Sequence, residues 1–536
     1  MDHVVGFGGS IHDFATCLIS SDGTVVAIED ERLSRVRYAY GEPYPCRRSL
    51  EIVLAQQGLD TRDVGRFAAN DMLVDELKLP GVAPDWLNHH YTHAASGLFT
   101  SPFDEAAILV ADGAGSVVDE EAELDAGRHQ RETTTWAMGR GNDIEVLGRV
   151  VGSKRGGPGS NDADALMSNS LGDFYRAVTE AIGFGFLQAG KTMGLAAYGD
   201  DRFVDRLMTA VKLLPGGQFT VRTEGPGGVL DLLAGIPRGR LADDFEGNAH
   251  LAAAGQAVLE RILLHILAEL WRRTRCPNLC LAGGVALNCV FNGKIVELTP
   301  FENVHVIHAP GDSGTAIGAA VGGRLAGTVG EQPWRLTASP YLGLSYPDST
   351  LDGYGDLLTD DELCRRVAGL LHQGGVVAWF QGAAEFGPRA LGNRSLLADP
   401  SRPGMRDLLN QIKQREWFRP VAPVVLENRV DDFFHAYGTS PAMQFSWSVK
   451  ESARQSVPAI CHIDGSARVQ TVSDAQNPAL AALIGEFERQ GGPPVLVNTS
   501  LNLRGEPIVE TPDEALAVLA QSDIDALVVG NRLIRK

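Results

Sequence analysis

Two histidines four residues apart, His89 and His93 in LNHHYTHAASGLFT, have the spacing in this chain that most directly suggests chemistry. On a helix, positions i and i+4 share one face, so both imidazoles can reach a single metal ion. Asp112 ends the apolar run AAILVA, which reads as a buried strand delivering a carboxylate into the glycine turn ADGAGS. Asp312 stands in HAPGDSGTAIG, again between a strand and a helix. Such a donor set forms an incomplete coordination shell, with room left for substrate or water. A histidine pair alone more often caps or packs a helix. The second aspartate, far along the chain, tips the reading toward one metal site built from His89, His93, Asp112 and Asp312.

A third histidine, His12 in GGSIHDFAT, falls on the turn between two short strands, where a side chain can reach a cleft. Imidazole titrates near neutrality, which suits a base that takes a proton from an alcohol. Downstream, Arg32, Arg35 and Arg37 in ERLSRVR can face either a nucleotide phosphate or solvent. Three glycine-rich bends follow: Asp112–Ser116, Gly190–Gly199 with Lys191, and Gly283–Gly284 between the strand of LAGGVALNCVFNGK and the helix expected after it. Such bends let backbone amides approach a phosphate. No GxxxxGK[ST] motif is present, so the bends suit a nucleotide held in a cleft between two related lobes, as in actin-like, sugar-kinase and Hsp70 folds.

The last third carries a different pattern. EFGPRALGNRSLLADP supplies Arg389 and Arg394, QIKQREWFRPVAP supplies Lys413, Arg415 and Arg419, and SARVQTV supplies Arg468. VNTSLNLRGEPIV adds Asn498, Ser500, Asn502 and Arg504. Guanidiniums set among glycine, proline and apolar residues suggest a pocket for a small, multiply charged anion, since arginine recognises phosphate and carboxylate bidentately. Solvated surface pairs are the bland alternative.

The elements that must position these groups belong to an α/β protein of 536 residues, 44% hydrophobic and 21% charged. Three strands are expected at His3–Phe7, Ala15–Ser20 and Thr24–Glu29, and later strand–glycine–helix units surround the metal-site candidates. Arg238–Asn248 reads as an irregular connection. The aperiodic stretch Gly330–Asp348 reads as a linker, followed by a helix at Asp360–Gln373 and a strand at Val376–Phe380. A net charge of −20 argues against nucleic acid as a partner. Seven scattered cysteines read as reduced thiols. The N-terminus has no leader-like pattern and no window is expected to reach transmembrane length, so a cytoplasmic protein with no membrane partner is expected.

Taken in order, GGSIHDFAT, EDERLSRVR, HHYTHAAS, VADGAG, GKTMGLAAYG, LAGGVALN, APGDSGTAIGAA, EFGPRALGNRS, KQREWFRPVAP and VNTSLNLRGEPIV resemble the carbamoyltransferase family of nodulation protein U, cephamycin carbamoyltransferase and tobramycin O-carbamoyltransferase. The resemblance implies an actin-like domain over residues 1–340, similar to the transferase that makes threonylcarbamoyl-adenosine in tRNA. It implies a YrdC-like α/β domain over 341–536. It further implies that carbamoyl phosphate and ATP, with Mg2+, give carbamoyl adenylate in the second domain. The first domain, holding a ferrous or other divalent ion, then passes the carbamoyl group to a hydroxyl of a small natural product, such as an antibiotic or its sugar.

Carried over residue by residue, the metal ligands are His89, His93, Asp112 and Asp312, and the base is His12. The adenylate site takes Arg37, Ser116, Lys191, Gly283, Gly284 and Asn288. The carbamoyl phosphate and ATP site takes Arg389, Arg394, Lys413, Arg419, Arg468, Asn498 and Ser500. Two departures stand out: isoleucine precedes the histidine where the common family form reads GHDAS, and Arg37 occupies a place often held by lysine. Residues between Ser116 and Phe186 are expected to choose the acceptor, and a homodimer is expected. Threonylcarbamoyl transfer to tRNA and a nucleotide-gated binding module are the alternatives. The first is disfavoured by the acidic charge, and the second leaves the histidine–aspartate cluster unused.

Overall fold

The computed structural model describes residues 2–40, 44–118, 128–155, 165–326, 334–336 and 339–536. Its N-terminal part contains two sheets of the same design. The first joins β1 (His3–Gly8), β2 (Ala15–Ile19), β3 (Val25–Glu29), β4 (Val64–Asn70) and β5 (Asp85–Leu87) in the order β3-β2-β1-β4-β5. Its first three strands are antiparallel, whereas β4 and β5 add on in parallel. The second uses β6 (Glu105–Ala111), β7 (Arg128–Arg140) and β8 (Asp143–Arg155). After a small hairpin of β9 (Val211–Leu213) and β10 (Phe219–Val221), it is completed by β11 (Asn278–Ala282) and β12 (Asn303–Val306). Read from β8, the order β8-β7-β6-β11-β12 repeats three antiparallel strands followed by two parallel ones. Two equivalent lobes with a cleft between their strand ends define an actin-like domain.

The C-terminal part is a separate nine-stranded mixed sheet. It contains β13 (Asp356–Leu357), β14 (Val377–Phe380), β15 (Arg394–Ala398), β16 (Ala422–Leu426), β17 (Phe445–Ser448), β18 (Ser466–Val472), β19 (Val495–Ser500), β20 (Ala526–Val529) and β21 (Arg532–Arg535). The order is β13-β21-β20-β14-β15-β19-β16-β18-β17. Helices Asp360–His372 and Pro478–Arg489 cover one face, burying Val367, Leu371, Leu483 and Phe487 against Trp379, Leu397 and Leu496. Fold class thus agrees with expectation. Of the expected linker, residues 330–333 and 337–338 lie outside the described residues.

Three local expectations need correction. Phe245–Asn248 are helical, because the Asp244 side chain accepts the Gly247 amide and starts a helix running to Thr274. That helix is long and apolar enough to cross a membrane by length and composition, contrary to expectation. Its apolar side is spent in the core, where Val258, Ile262, Ile266 and Leu270 are buried. Finally, the glycine turn after β11 leads into three short pieces, Gly284–Leu287, Cys289–Asn292 and Ile295–Leu298, in place of one amphipathic helix.

The helix Thr315–Leu325 sets the position of everything around the cleft. Seven of the eleven residues of its sequence TAIGAAVGGRL are Gly, Ala or Thr, and it packs against β1 on one side and the helix His89–Phe99 on the other. A Cβ on Gly318 would stand 1.8 Å from the Thr92 carbonyl oxygen, and one on Gly6 would stand 2.2 Å from the Ala316 carbonyl oxygen. Only glycine permits these approaches. Gly318→Val should therefore force the two helices apart and destabilise the protein by about 2–3 kcal/mol. Chemical denaturation checks this, and an unchanged midpoint would mean that the helices are free to separate.

Candidate active site

The helix His89–Phe99 begins at Asn88, whose side chain accepts the Tyr91 amide at 2.8 Å. The His89 amide is satisfied by Ser116 Oγ at 2.8 Å, and that hydroxyl in turn donates to Asp71. Every residue of the helix except Tyr91 is buried, so the two imidazoles are held inside the protein. They meet edge to face, with Nε2 atoms 3.2 Å apart. Asp112 Oδ2 lies 3.3 Å from His89 Nε2 and 3.5 Å from His93 Nε2, and Asp312 Oδ1 lies 3.6 Å from both.

Each carboxylate is held by a donor on its other oxygen. Gly284 N–H donates to Asp112 Oδ1 at 3.1 Å, and Ser10 Oγ donates to Asp312 Oδ2 at 2.5 Å. The free oxygen of each then turns toward the histidines. The paired register of β6 and β11, Val110 against Ala282, is what sets Asp112 beside the Gly283–Gly284 turn. Gly283 holds φ +87° there, and a Cβ would strike the Ala111 carbonyl at 2.3 Å. On the other wall, Thr315 Oγ1 accepts from Gly9 N–H and Asn70 Nδ2 and donates to the Asp312 carbonyl. One hydroxyl ties the His12 turn to the Asp312 loop.

Four ligand atoms within 4.8 Å of one another, two nitrogen and two oxygen, suit a divalent cation. Without one, the charges fall on protons. Burial would lower His89, but hydrogen bonds and charge from Asp112 and Asp312 lift it to about 10. Burial would raise both carboxyls, and the histidines hold Asp112 and Asp312 well below the usual carboxylate range. His12 Nδ1 lies 3.1 Å from Asp13 and 4.0 Å from Asp312 Oδ2. Burial would lower its basicity, yet Asp13 first and then Asp312 and Asp112 raise it to about 9. A cation at the cluster would offset the charge of Asp312 and Asp112 and leave the larger contribution of Asp13 in place.

The second group of residues lies across the domain interface. Arg389, Lys413, Arg415, Arg419 and Arg468 crowd together with Arg37. Burial and then mutual repulsion push Arg389 and Arg415 down to about 9, and push Lys413 well below its ordinary value. Arg419 is lowered by burial, relieved by Glu416, then lowered by Arg468 and Arg37. Buried Nε atoms of Arg389 and Arg468 have no partner. Lys413 Nζ donates to Ser500 Oγ and Asn502 Oδ1, and Asn498 Nδ2 donates to Gln470 and to the Ala390 carbonyl. So many cations with so little countercharge suit an anion.

Not every expected residue joins these two groups. The Arg394 guanidinium donates to carbonyls of Gln381, Gly382, Asn393 and Leu344 and stacks 3.6 Å from the Phe380 centroid, beside Glu510 and Glu385. It braces strand ends away from the cation cluster. Asn288 is committed to a reciprocal amide pair with Gln256 and caps the Cys289–Asn292 helix. Ser116 and the Gly284 amide are committed to the metal-site scaffold, and Lys191 pairs with Glu416 at 2.7 Å. Arg32 and Arg35 both spend their guanidiniums on backbone carbonyls. Arg32 is 1% exposed and donates to the Gly387 carbonyl, and Arg35 donates to the Pro507 and Ile508 carbonyls. Both therefore clasp the second domain. Ser10, whose hydroxyl orients Asp312, is a residue of this cluster that sequence reasoning misses, although it stands two residues before His12 in the same motif. Of the segment expected to choose the acceptor, residues 119–127 and 156–164 lie outside the described residues.

Family models for the carbamoyltransferase N-terminus and C-terminus match residues 78–321 and 368–536. The chain belongs to the carbamoyltransferase family. It is a transferase. Its relatives include nodulation protein NolNO of Sinorhizobium fredii, 32% identical over 98% of this chain and 79% of that protein. The 3'-hydroxymethylcephem-O-carbamoyltransferase of Amycolatopsis lactamdurans is 36% identical over 64% of each chain. Among solved structures, HypF in its phosphate- and nucleotide-bound form aligns over 62% of this carbamoyltransferase and 56% of that chain. Its identity of 13% and TM-score of 0.42 are too slight to carry function across.

The donor geometry predicts that His89→Ala and Asp312→Asn each lose bound divalent metal by at least ten-fold in occupancy, read by elemental analysis of purified protein. Full occupancy in either variant would show that the four residues are packed for folding alone.

Proposed function

We propose that this carbamoyltransferase is an ATP-dependent O-carbamoyltransferase acting on a hydroxyl of a small natural product, with the domains dividing at 340/341. The observation that carries the reading is the pairing of a cation cluster that has little countercharge with a two-histidine, two-aspartate cluster across one domain interface. Arg37 reaches from the first domain into the cations of the second.

In this reading Arg389, Arg415, Arg419 and Arg468 take up the phosphates of carbamoyl phosphate and ATP, while Lys413 fixes the β19 loop through Ser500 and Asn502. Carbamoyl phosphate is a poor acyl donor at carbon because nitrogen donates into the carbonyl. Water splits carbamoyl phosphate into carbamate and inorganic phosphate, and a carbamate oxygen then displaces pyrophosphate from the α-phosphorus of ATP, which gives carbamoyl adenylate with a better leaving group. Arg37 then stands where that adenylate passes toward the first domain. His12, oriented by Asp13, accepts the proton of the acceptor hydroxyl through Nε2. The acceptor oxygen bonds to the carbamoyl carbon, and AMP departs. His89, His93, Asp112 and Asp312 would hold a divalent ion, ferrous by family resemblance, which would supply positive charge to a departing phosphate. Enclosure between two domains suits an adenylate that water would otherwise destroy.

Two predictions separate the half-reactions. Arg468→Ala should raise the KM for carbamoyl phosphate roughly 10–100-fold, the loss of one charge-assisted contact, whereas His89→Ala should retain carbamoyl-phosphate-dependent pyrophosphate release. No pyrophosphate from the parent protein under any metal condition would sink the proposal. His12→Asn should slow carbamoyl transfer by about 10²–10⁴-fold while metal content and pyrophosphate release persist. Parental transfer rates from pH 6 to 9 would mean another group activates the hydroxyl.

A further inference from the structure

Arg389 carries a buried Nε with no partner, so its direction depends on how the backbone beneath it is placed. Arg468 and Arg419 stand near enough for their charges to repel it. Something must hold the loop against that repulsion. Glu385 closes the loop at its base, where its Oε1 accepts the amides of Leu391, Asn393 and Arg394 at 2.6, 2.7 and 3.1 Å. Just ahead of Arg389 stand Gly387 and Pro388, and there the first domain takes hold. Glu29 Oε2 accepts the Gly387 amide at 3.2 Å, and Arg32 Nη2 donates to the Gly387 carbonyl at 2.7 Å. The two side chains also pair with each other, Nη2 to Oε2 at 3.3 Å. Both are buried, so water does not compete for these contacts.

A single residue is thus gripped on both of its backbone polar groups by charged partners. Gly387 is confined sterically as well. It holds φ +114°, and a Cβ would stand 2.7 Å from the carbonyl oxygen of His308, four residues before Asp312. Only glycine fits there. The carbonyl that Arg32 holds belongs to the Gly387–Pro388 peptide, which is planar. Proline then locks its own φ near about −65°. Few soft torsions therefore separate the clamped peptide from the Arg389 Cα. The same segment of the first domain supplies Arg37. Glu31 Oε2 accepts the Tyr38 amide at 2.7 Å, which fixes the chain beyond the helix Asp30–Ser34. Arg37 and Arg389, from different domains, are placed by one segment.

Resting on the O-carbamoyl transfer reading above, we infer that Glu29 and Arg32 are positioning residues for Arg389, through which the first domain sets the phosphate affinity of the second domain's cations. Neither touches substrate. Their charge-assisted contacts act through the Gly387–Pro388 peptide. Loosening that peptide costs binding of the anion and leaves the chemical step alone, which raises KM with kcat unchanged.

The test uses the full chain and inorganic pyrophosphate as the anion probe, titrated by calorimetry without ATP. Arg32→Met removes the clamp, whereas Pro388→Gly keeps the clamp and adds free torsions between it and Arg389. Pro388 is exposed, so its replacement removes no buried packing. Each variant should bind pyrophosphate roughly ten-fold more weakly than the parent, the scale of one displaced charge-assisted contact. In the pyrophosphate-release assay, each should raise the KM for carbamoyl phosphate by a similar factor and keep kcat within about two-fold. Arg32→Lys, which keeps a cation within reach of the Gly387 carbonyl, should bind the probe more tightly than Arg32→Met. An unchanged dissociation constant in Pro388→Gly overturns the inference whatever Arg32→Met does, because the contact then serves only to dock the domains. A fall in kcat with KM unchanged overturns it too, as does a parent chain that binds no pyrophosphate. Should Arg32→Met fail to fold, Pro388→Gly decides alone. A parent chain that releases no pyrophosphate from ATP counts against the function proposed above, whereas the titrations still decide the role of Glu29 and Arg32.

Discussion

The backbone-to-backbone contacts of the helix Thr315–Leu325 are the constraint on which the rest of the structure depends. Because Gly318 lets the Thr92 carbonyl approach, and Gly6 and Gly8 let β1 approach, three elements distant in sequence share one narrow space. Asp312 enters at the start of that helix, His89 and His93 on the helix beside it, and His12 on the turn after β1. Small residues here do what a large side chain could not: they remove the thickness that would otherwise hold the polar groups apart. The chemistry is a consequence of that thinness.

Once gathered, these groups need further orientation. Two carboxylates side by side repel, and two imidazole nitrogens 3.2 Å apart cannot both carry a proton in that contact. The fold answers by anchoring one oxygen of each carboxylate, Asp112 through the Gly284 amide and Asp312 through the Ser10 hydroxyl, and presenting the other. Such one-sided anchoring leaves a set of donors whose mutual arrangement is satisfied by a cation better than by protons.

The second domain poses the opposite electrostatic problem within a chain of net charge −20. Five cations and Arg37 are drawn into one region, and most have their basicity lowered by burial and by one another. That repulsion is sustained by packing. Tyr198 and Phe245 of the first domain pack around Trp417 and Phe418, fixing the loop that bears Arg415 and Arg419, while the Lys191–Glu416 pair joins the same loop to the first domain. The cation cluster is therefore a property of the interface as much as of the second sheet.

Residue types and short-range periodicity determined a good deal. The i,i+4 histidines declared their shared face, the apolar runs before Asp112 and Asp312 declared strand ends, and the motif order carried the family. Arginine density in an acidic chain pointed to an anion site, because unpaired guanidiniums have few other uses. Sequence alone did not say which polar group would be spent on scaffolding. Ser116, Asn288, Arg32, Arg35 and Arg394 look as reactive in the sequence as Arg419 or Arg468, yet tertiary contacts commit the first five to amides, carbonyls and a domain clasp. The reason is physical: a buried polar atom must be satisfied by whatever lies within about 3 Å, and that neighbour is usually far away along the chain. Residue identity gives each group its capacity for chemistry, and only the packing of distant elements decides whether that capacity is left free.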